Sequence, residues 1–238
     1  MKVKKRLKED DHIMKKVDLS NLPEIPNLGI NVGEIDVLHD YCSEPLQEVN
    51  GVFFDSRYLN LGYPGAVEKF MLRKTVVEKI LEAQSKLPEG LHLKIYDAYR
   101  SIVTQKYLWN EIVTKYKKEY PELSNLQLDK LSRKKVSNPF DKKNPPLHCT
   151  GGAVDLTICD EMQNDLNMGG DFDSFTDIDQ TNYYENSDNL DVKYNRRLLY
   201  YVMTSVGFVN YPSEWWHFDY GDTVWAYFKK KPCCYNIK

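Results

Sequence analysis

The sequence predicts a single α+β domain in which helices flank a central, mostly antiparallel sheet. Helix patterns and strand patterns follow one another in unequal order, which disfavours a regular βαβ winding. With 238 residues, of which 42% are hydrophobic, the chain can bury one substantial core. We expect an irregular N-terminal arm over residues 1–50, a folded domain over 51–228 and a short tail over 229–238.

The first half of the chain contains two helix patterns and one strand pattern. An apolar stripe predicts a helix over 68–87, which Pro88-Glu89-Gly90 ends. Alternating apolar and polar residues predict a strand over 91–96. Ser101 is a suitable N-cap for a second helix that reaches residue 120. The stripes that we expect these helices to bury consist of Val76, Val77, Ile80, Leu81 and Leu87, and of Trp109, Ile112, Val113 and Tyr116.

The middle of the chain alternates long loops with regular elements. Residues 121–147 are polar, Lys-rich and interrupted by prolines, so we expect a surface excursion that is a candidate lid. A strand follows over 153–158, and an acidic loop occupies 161–189. A third helix is expected over 194–206, with Gly207 as a favourable residue just after its end.

The C-terminal part predicts a hairpin followed by a tail. A last strand covers 215–220, and we expect 224–228 to pair with it across Gly221-Asp222. The adjacent Cys233 and Cys234 are expected in an exposed tail. The chain has five cysteines and no CxxC pair, a pattern that favours reduced thiols used for packing over a disulfide framework.

Charge and hydropathy exclude several classes of protein. The 32 basic and 35 acidic residues leave a net charge of −3, which argues against a dedicated nucleic-acid binder. No apolar run approaches the roughly 18 residues of a membrane span. The N-terminus is basic but has no apolar stretch behind it, so we expect no secretory signal and a cytoplasmic location.

A first segment with possible chemistry is His148-Cys149-Thr150-Gly151-Gly152-Ala153-Val154-Asp155. The strand pleat places Val154, Leu156 and Ile158 on the core face, so Asp155 points the other way. The two glycines allow the backbone to bend, and His148 can then fold back toward Asp155. A histidine and a carboxylate placed together in this way are suitable zinc ligands. Spacing of this kind also occurs in structural hydrogen-bonded pairs.

A second segment, residues 211–220, combines Glu214 with His217. If the strand begins near Trp215, His217 can supply a third ligand, and Glu214 at the lip of the loop is a carboxylate beside the metal. Two histidines and one aspartate leave a fourth position for water, as catalytic zinc sites require. The alternative is an aromatic core strand with one hydrogen-bonded histidine.

A third segment, residues 96–101, places Arg100 where a strand meets a helix. A guanidinium held at such a boundary can stabilise an oxyanion or clamp a carboxylate. The alternative is a surface ion pair between Arg100 and Asp97, which contributes little stability.

Together, these segments resemble the D-alanyl-D-alanine dipeptidase family of zinc peptidases, which are relatives of bacterial D,D-carboxypeptidases. The family pattern is a His-x6-Asp block with Gly and Ala, an Arg in a Tyr-Asp-x-Tyr-Arg context, and Glu-x-Trp-His. All three occur here in the family's order, and the similarity covers about residues 58–227.

The resemblance implies a role for each residue of the three segments. His148, Asp155 and His217 would be ligands of one Zn²⁺ per chain, Glu214 the catalytic base and Arg100 the stabiliser of the transition state. The implied substrate is a small dipeptide, whose ammonium Asp173 or another acid of the 161–189 loop could pair. Family members commonly carry serines just before the first zinc histidine, where this chain has Pro146-Leu147, so strict D-Ala-D-Ala preference is not implied.

Two other functions stay open at this point. A D,D- or L,D-carboxypeptidase that trims longer cell-wall peptides would need an open groove. A zinc-stabilised binding module without turnover would have no use for Glu214 beside an open coordination position. A third idea, Cys149 as a thiol nucleophile, is weak because a glycine-flanked thiol is more often a packing residue.

Overall fold

The computed structural model describes residues 21–30, 35–174 and 176–238, which form an α+β domain with a sheet between helices. The strands are β1 (Leu46–Glu48), β2 (Phe53–Phe54), β3 (Met71–Arg73), β4 (Leu91–Asp97), β5 (Ala153–Asp160), β6 (Val209–Asn210) and β7 (His217–Asp219). The helices are α1 (Arg57–Asn60), α2 (Lys74–Gln84), α3 (Ile102–Glu119), α4 (Asn125–Ser132), α5 (Leu147–Thr150), α6 (Leu190–Ser205) and α7 (Thr223–Lys229).

The main sheet has five strands in the order β2-β4-β5-β7-β6. Only the β2–β4 pair is parallel, and the other pairs are antiparallel, as the sequence predicts. A separate two-stranded sheet joins β1 to β3. The register of the main sheet aligns Asp97 on β4, Asp155 on β5 and His217 on β7, so that Asp155 is paired with both of the others. Three chemically important side chains therefore start from adjacent backbone positions.

The core lies between the main sheet and helices α2 and α6. From β5, the side chains of Val154, Leu156 and Ile158 are fully buried, which confirms the predicted apolar face. The helices contribute Val76, Val77, Ile80, Ala83, Leu198, Leu199, Val202 and Met203 to the same cluster. Because side chains alternate along a strand, Asp155 lies on the opposite face of the sheet.

Two predicted elements differ from the structure. The helix predicted over 68–87 is only α2, because Met71–Arg73 pairs with β1 as a strand before the helix begins. Leu81, assigned to its buried stripe, is 40% exposed. Residues 224–228 are not a strand but part of α7, whose N-cap Asp222 accepts a hydrogen bond from the Trp225 N–H at 3.0 Å. That cap selects the helix over the hairpin.

The segment 121–147 is more regular than its composition suggests. Helix α4 lies within it and begins with a capping box, in which Ser124 and Gln127 satisfy each other's backbone N–H groups. The third predicted helix extends further back than expected, to Leu190, and Gly207 after it adopts a positive φ of 104°.

Part of the C-terminal tail is packed, which corrects the prediction that Cys233 and Cys234 lie in an exposed tail, although residues 229–232 and 236–238 are exposed. Cys233 is fully buried and Tyr235 is 2% exposed. The Cys233 N–H donates to the Leu38 carbonyl at 2.7 Å, so this segment lies against the N-terminal arm. From that arm, Ile35 and Val49 are also buried. The basic segment at the very start lies outside the described residues.

Among the described residues, the structure contains no helix that is both long and apolar enough for a bilayer crossing.

Candidate metal centre

His148, Asp155 and His217 converge at one buried point, with one donor atom of each lying within 4.8 Å of the others. Nε2 of His148 is 3.2 Å from Nδ1 of His217 and 3.2 Å from Oδ2 of Asp155. Nδ1 of His217 is 2.9 Å from Oδ1 of Asp155. The three residues singled out in the sequence therefore form a group that could hold a metal ion.

Local backbone geometry brings these side chains together. Asp155 and His217 are direct neighbours across β5 and β7. His148 lies in the short helix α5, which ends at Gly151 with a left-handed φ of 75°. A side chain at Gly151 would be strained there, and its Cβ would lie 2.4 Å from Leu46. The glycine therefore lets the chain turn from α5 into β5, as the sequence predicts.

A second layer of contacts orients both imidazoles. Nδ1 of His148 is 2.9 Å from the Ala98 carbonyl, which leaves Nε2 directed at the site. Nε2 of His217 is 2.9 Å from Oδ1 of Asp219, which leaves Nδ1 directed at the site. Metal-ligating histidines typically have such a carbonyl or carboxylate on the other ring nitrogen. Asp219 lies two residues after His217 on the same face of β7. This i+2 spacing is the feature of the sequence that could have identified Asp219 as the hydrogen-bond partner of His217.

The donor set fits a divalent transition metal. Two imidazoles and one carboxylate are ligands that such ions accept, and three protein ligands leave a position for water or substrate. Burial alone would raise the pKa of Asp155, but the charge and hydrogen bonds of His148 and His217 outweigh it and lower that pKa. The carboxylate is thus held in the ionised form that a metal requires.

Glu214 lies beside this group but outside β7. A turn places it there, since the Glu214 N–H donates to the Tyr211 carbonyl at 3.0 Å. Its Oε2 is 3.8 Å from Nδ1 of His217. Burial raises the pKa of Glu214 to about 8, and the charge of His217 opposes that shift. The sequence expectation of a carboxylate at the lip of the loop agrees with this placement.

Arg100 also faces the site, at the junction of β4 and α3. Its guanidinium is 2.6 Å from Asp97, and both side chains are only 10% exposed. Arg100 further donates to Gln105 at 2.9 Å and to the Tyr58 hydroxyl at 3.1 Å. Burial alone would lower the pKa of Arg100. The negative charge of Asp97 outweighs that effect and raises the pKa well above its usual value. The ion pair between Arg100 and Asp97 that the sequence suggested is therefore present, but it is buried beside the site and does not lie at the surface.

Asp173 is the acid of the 161–189 loop that reaches the same cleft. It adopts a positive φ of 58° and accepts a hydrogen bond from the Tyr58 hydroxyl at 3.1 Å. Burial raises its pKa to about 6, and the nearby Asp155 adds to the shift. Nothing in the sequence assigns Tyr58 and Gln105 to the site, because their contacts with Arg100 and Asp173 are visible only in the folded chain.

These residues line a cleft of about 1040 Å³. Besides the metal group, Glu214, Arg100 and Asp173, its wall includes a basic stretch from the end of α4 onward, formed by Lys130, Arg133, Lys134 and Lys135. A dipeptide is about 7 Å long when extended, so it would fill only part of this space. The 121–147 segment thus borders the cleft, where a lid was predicted.

Cys149 does not take part in the site. It is fully buried, and burial raises the pKa of its thiol to about 12, so it is not a reactive thiolate.

A buried His–Asp–His group on the face of a mixed sheet, open to a substrate-sized cleft, is typical of metal-dependent hydrolases. Comparison with known proteins agrees with this class. The family model described as D-Ala-D-Ala dipeptidase matches residues 59–236. The chain belongs to that family of peptidases.

Two curated relatives carry the same name. A D-alanyl-D-alanine dipeptidase of Synechocystis is 30% identical over 215 residues, which cover 78% of this chain and 85% of the relative. A D-alanyl-D-alanine dipeptidase of Escherichia coli is 35% identical over 131 residues, which cover 55% of each chain. The matched regions support a peptidase with a small peptide substrate.

Proposed function

We propose that this protein is a zinc-dependent dipeptidase that hydrolyses D-alanyl-D-alanine. The observation that carries the proposal is the buried group of His148, Asp155 and His217 in a cleft that also contains Glu214 and Arg100. Membership of the dipeptidase family supports the substrate class. We place the reaction in the cytoplasm and in the turnover of cell-wall peptides as part of the same proposal.

His148, Asp155 and His217 would hold one zinc ion per chain. Zinc at such a site lowers the pKa of bound water to about 7 and polarises a carbonyl. Asp219 and the Ala98 carbonyl would keep both histidine rings aimed at the ion.

Glu214 would act as the general base and then as the general acid. Its carboxylate accepts the proton of the attacking water and passes that proton to the leaving amine. Its position supports this role, because its Oε2 lies 3.8 Å from Nδ1 of His217, beside the group that would hold the metal.

Arg100 would stabilise the negative charge that develops on the carbonyl oxygen. Its guanidinium is already held by Asp97, Gln105 and Tyr58, so it needs little reorganisation during the reaction. Asp173 would pair the substrate's ammonium group, since it is the acidic side chain that Tyr58 holds in the cleft.

The volume of the cleft favours one second candidate. A carboxypeptidase acting on longer cell-wall peptides would use the space that a dipeptide leaves empty in a cleft of about 1040 Å³. A binding module without turnover has no such support, because Glu214 lies beside the metal group in a buried position suited to proton transfer.

Substrate comparison tests the proposal. The protein would be incubated with D-Ala-D-Ala, L-Ala-L-Ala and a cell-wall pentapeptide, each with and without a chelator. Of the three peptides, we expect only D-Ala-D-Ala to release free alanine. The chelator should abolish that release. Preferential cleavage of the pentapeptide would establish the carboxypeptidase instead. If none of the peptides is cleaved after zinc is added, the enzymatic proposal is wrong.

A further inference from the structure

A buried amide, that of Asn210, lies at the start of the turn that carries Glu214. Asn210 is 6% exposed and ends β6, where it is paired with Phe218 of β7. Its Nδ2 donates to the Glu214 carbonyl at 3.1 Å and to the His217 carbonyl at 3.0 Å. Both N–H groups of this one amide are therefore used, and they join the backbone of the proposed base to that of a proposed metal ligand.

The two carbonyls that Asn210 binds belong to the middle and the end of a turn over residues 211–217. The Tyr211 N–H donates to the His217 carbonyl at 3.0 Å and so closes this turn. In an unbroken strand, the side chains at positions 214 and 217 would point to opposite faces of the sheet. The turn instead brings Oε2 of Glu214 to 3.8 Å from Nδ1 of His217. Asn210 therefore helps to hold these two side chains in this relation.

The orientation of the Asn210 amide is determined by Thr181, which comes from the 161–189 loop and is 4% exposed. The Thr181 hydroxyl donates to Oδ1 of Asn210 at 2.6 Å, while the Tyr211 carbonyl lies further from the same hydroxyl, at 3.4 Å. With Oδ1 bound in this way, Nδ2 faces both carbonyls of the turn. A flipped amide would place its oxygen against two carbonyl oxygens, and none of these three atoms can donate a proton.

Further hydrogen bonds hold Thr181 in place for this contact. The Thr181 N–H donates to the Pro212 carbonyl at 3.0 Å, and the Trp215 N–H donates to the Asp179 carbonyl at 2.9 Å. On the side of α6, the guanidinium of Arg196 is buried and donates to three carbonyls of the same loop at 2.6 to 2.7 Å. The hydroxyl is therefore presented to the amide by a segment that is fixed on both sides.

The functional step rests on the proposed function. A general base acts only when it is held within hydrogen-bond reach of the proton that it abstracts, and a displacement of about 1 Å can lower the rate roughly 100-fold. Neither Asn210 nor Thr181 is part of the cleft wall that the structure describes. Any effect of these two residues on the reaction must therefore act through Glu214 and His217.

We propose that Asn210 and Thr181 are positioning residues for the reaction. Asn210 holds Glu214 beside His217, and Thr181 keeps the Asn210 amide in the orientation that allows this. Because Thr181 belongs to the loop that also carries Asp173, the same pair connects the proposed base to the acid proposed to bind the substrate's ammonium group.

The test compares Thr181→Val with Thr181→Ser, using D-Ala-D-Ala as the substrate. Valine has the shape of threonine but leaves Oδ1 of Asn210 without its donor, whereas serine keeps the hydroxyl. We expect Thr181→Val to lower kcat about tenfold, with KM changed less than about twofold and zinc content near one ion per chain. Thr181→Ser should return kcat to within about threefold of the wild type, and Asn210→Leu, which removes all three bonds, should lower kcat roughly 100-fold.

Thr204→Val is the matched control, since the Thr204 hydroxyl donates only to the Tyr200 carbonyl within α6, at 2.8 Å. It should leave kcat and KM unchanged. If Thr181→Val has the kcat of the control, or if Thr181→Ser is as impaired as Thr181→Val, the proposal is wrong. Should Asn210→Leu fail to fold, the two Thr181 variants decide the question, because each changes only a few atoms.

Hydrogen–deuterium exchange separates this proposal from the proposed function, because it requires neither metal nor turnover. We expect amides of the turn over 211–217 to exchange about tenfold faster in Thr181→Val than in Thr181→Ser or Thr204→Val. That result would support the positioning role even if the wild type cleaves no peptide. Unchanged exchange in both Thr181→Val and Asn210→Leu would overturn it even if the wild type is a dipeptidase, and so would faster exchange with an unchanged kcat.

Discussion

The guanidinium of Arg100 donates a hydrogen bond to the side-chain oxygen of Gln105 at 2.9 Å. The amide nitrogen of Gln105 donates in turn to the Ser137 carbonyl at 2.7 Å. Gln105 is 1% exposed, so both contacts are shielded from water. This amide therefore connects Arg100 to the 121–147 segment on the border of the cleft.

Replacing Gln105 should impair the reaction without removing the metal. Gln105→Leu keeps a side chain of similar size but leaves one Arg100 donor unpaired, so the guanidinium loses a fixed direction. We expect kcat to fall about tenfold, while metal content stays at the wild-type level and KM changes little. The matched control is Gln84→Leu, because Gln84 bonds only to the backbone at Leu91 and Leu93. An equal loss of kcat in both variants would mean that the effect is general destabilisation.

The three ligand positions should each be necessary for binding the metal. His148→Ala, Asp155→Ala and His217→Ala should lower bound zinc well below one ion per chain, because three protein ligands are the minimum for such a site. Elemental analysis of the purified variants measures this. His92→Ala, on β4 with its ring against Phe53, is the control and should keep its metal. A variant with full zinc content would remove its residue from the site.

Glu214→Gln should retain zinc and the fold but lose roughly 10²–10⁴-fold in kcat, the usual contribution of a positioned acid or base. The amide keeps the shape of the carboxylate and cannot accept the proton. Single-turnover kinetics and metal analysis on the same sample give both values. Loss of zinc in this variant would instead identify Glu214 as a ligand.

Asp173 should determine the response to the substrate's amino terminus. In its acid form Asp173 is neutral and cannot pair an ammonium group, so its titration should add a further fall in kcat/KM for D-Ala-D-Ala as the pH drops below about 6, beyond the fall that protonation of Glu214 causes at higher pH. The charged or titratable groups that face Asp173 are Tyr58, Tyr63, Asp97, Arg100, Asp155 and Glu214.

The matched variant is Asp173→Asn, and the matched substrate is N-acetyl-D-Ala-D-Ala. We expect the wild type to cleave the acetylated peptide at least about tenfold less efficiently, or about 1.4 kcal/mol. Asp173→Asn should lose that discrimination together with the fall in kcat/KM near pH 6. Equal cleavage of both peptides by the wild type would indicate a carboxypeptidase-like groove.

Arg73 should be important for stability rather than for chemistry. It is 2% exposed and donates to the carbonyls of Thr150, Glu44 and Asn236 at 2.6, 2.5 and 2.7 Å, so it joins three distant segments. We expect Arg73→Met to lower the free energy of unfolding by about 3 kcal/mol, because three carbonyl acceptors, of which that of Thr150 is buried, lose a charged donor.

Urea unfolding would measure that loss as a lower midpoint with an unchanged slope. Arg133→Met is the control, since Arg133 makes its ion pairs with Asp129 and Asp141 at the surface. It should cost less than about 1 kcal/mol. Similar midpoints for the two variants would contradict the role of Arg73.

Sequence reasoning predicted the elements whose pattern is repeated over many residues. The strand over 153–158 and the helix that ends before Gly207 are confirmed, because their apolar faces are long and regular. Residues 224–228 were assigned to a strand wrongly, since a short apolar run fits either a helix or a strand. Asp222 decides the outcome as the N-cap of a helix that begins at Thr223, and an aspartate two residues before the apolar run was the available signal.

In the site, too, local sequence patterns could be predicted, whereas contacts between distant segments could not. The approach of His148, Asp155 and His217 followed from a strand pleat, a glycine turn and a recognisable motif order. The contacts of Gln105 and Tyr58 could not be predicted, because they join segments that are far apart in the chain. The roles of Glu214 and Arg100 remain predictions, which the variants above test.

Asp155 and His217 are separated by 62 positions along the chain, yet they meet at 2.9 Å. Any ion that both residues bind therefore closes a long loop, and Asp173 lies within that loop. Closing a loop restricts the unfolded chain and so favours the folded state, in the manner of a disulfide. In this protein the ion would serve as a reversible cross-link, and chelation would reopen a loop that includes the residue proposed to hold the substrate's ammonium.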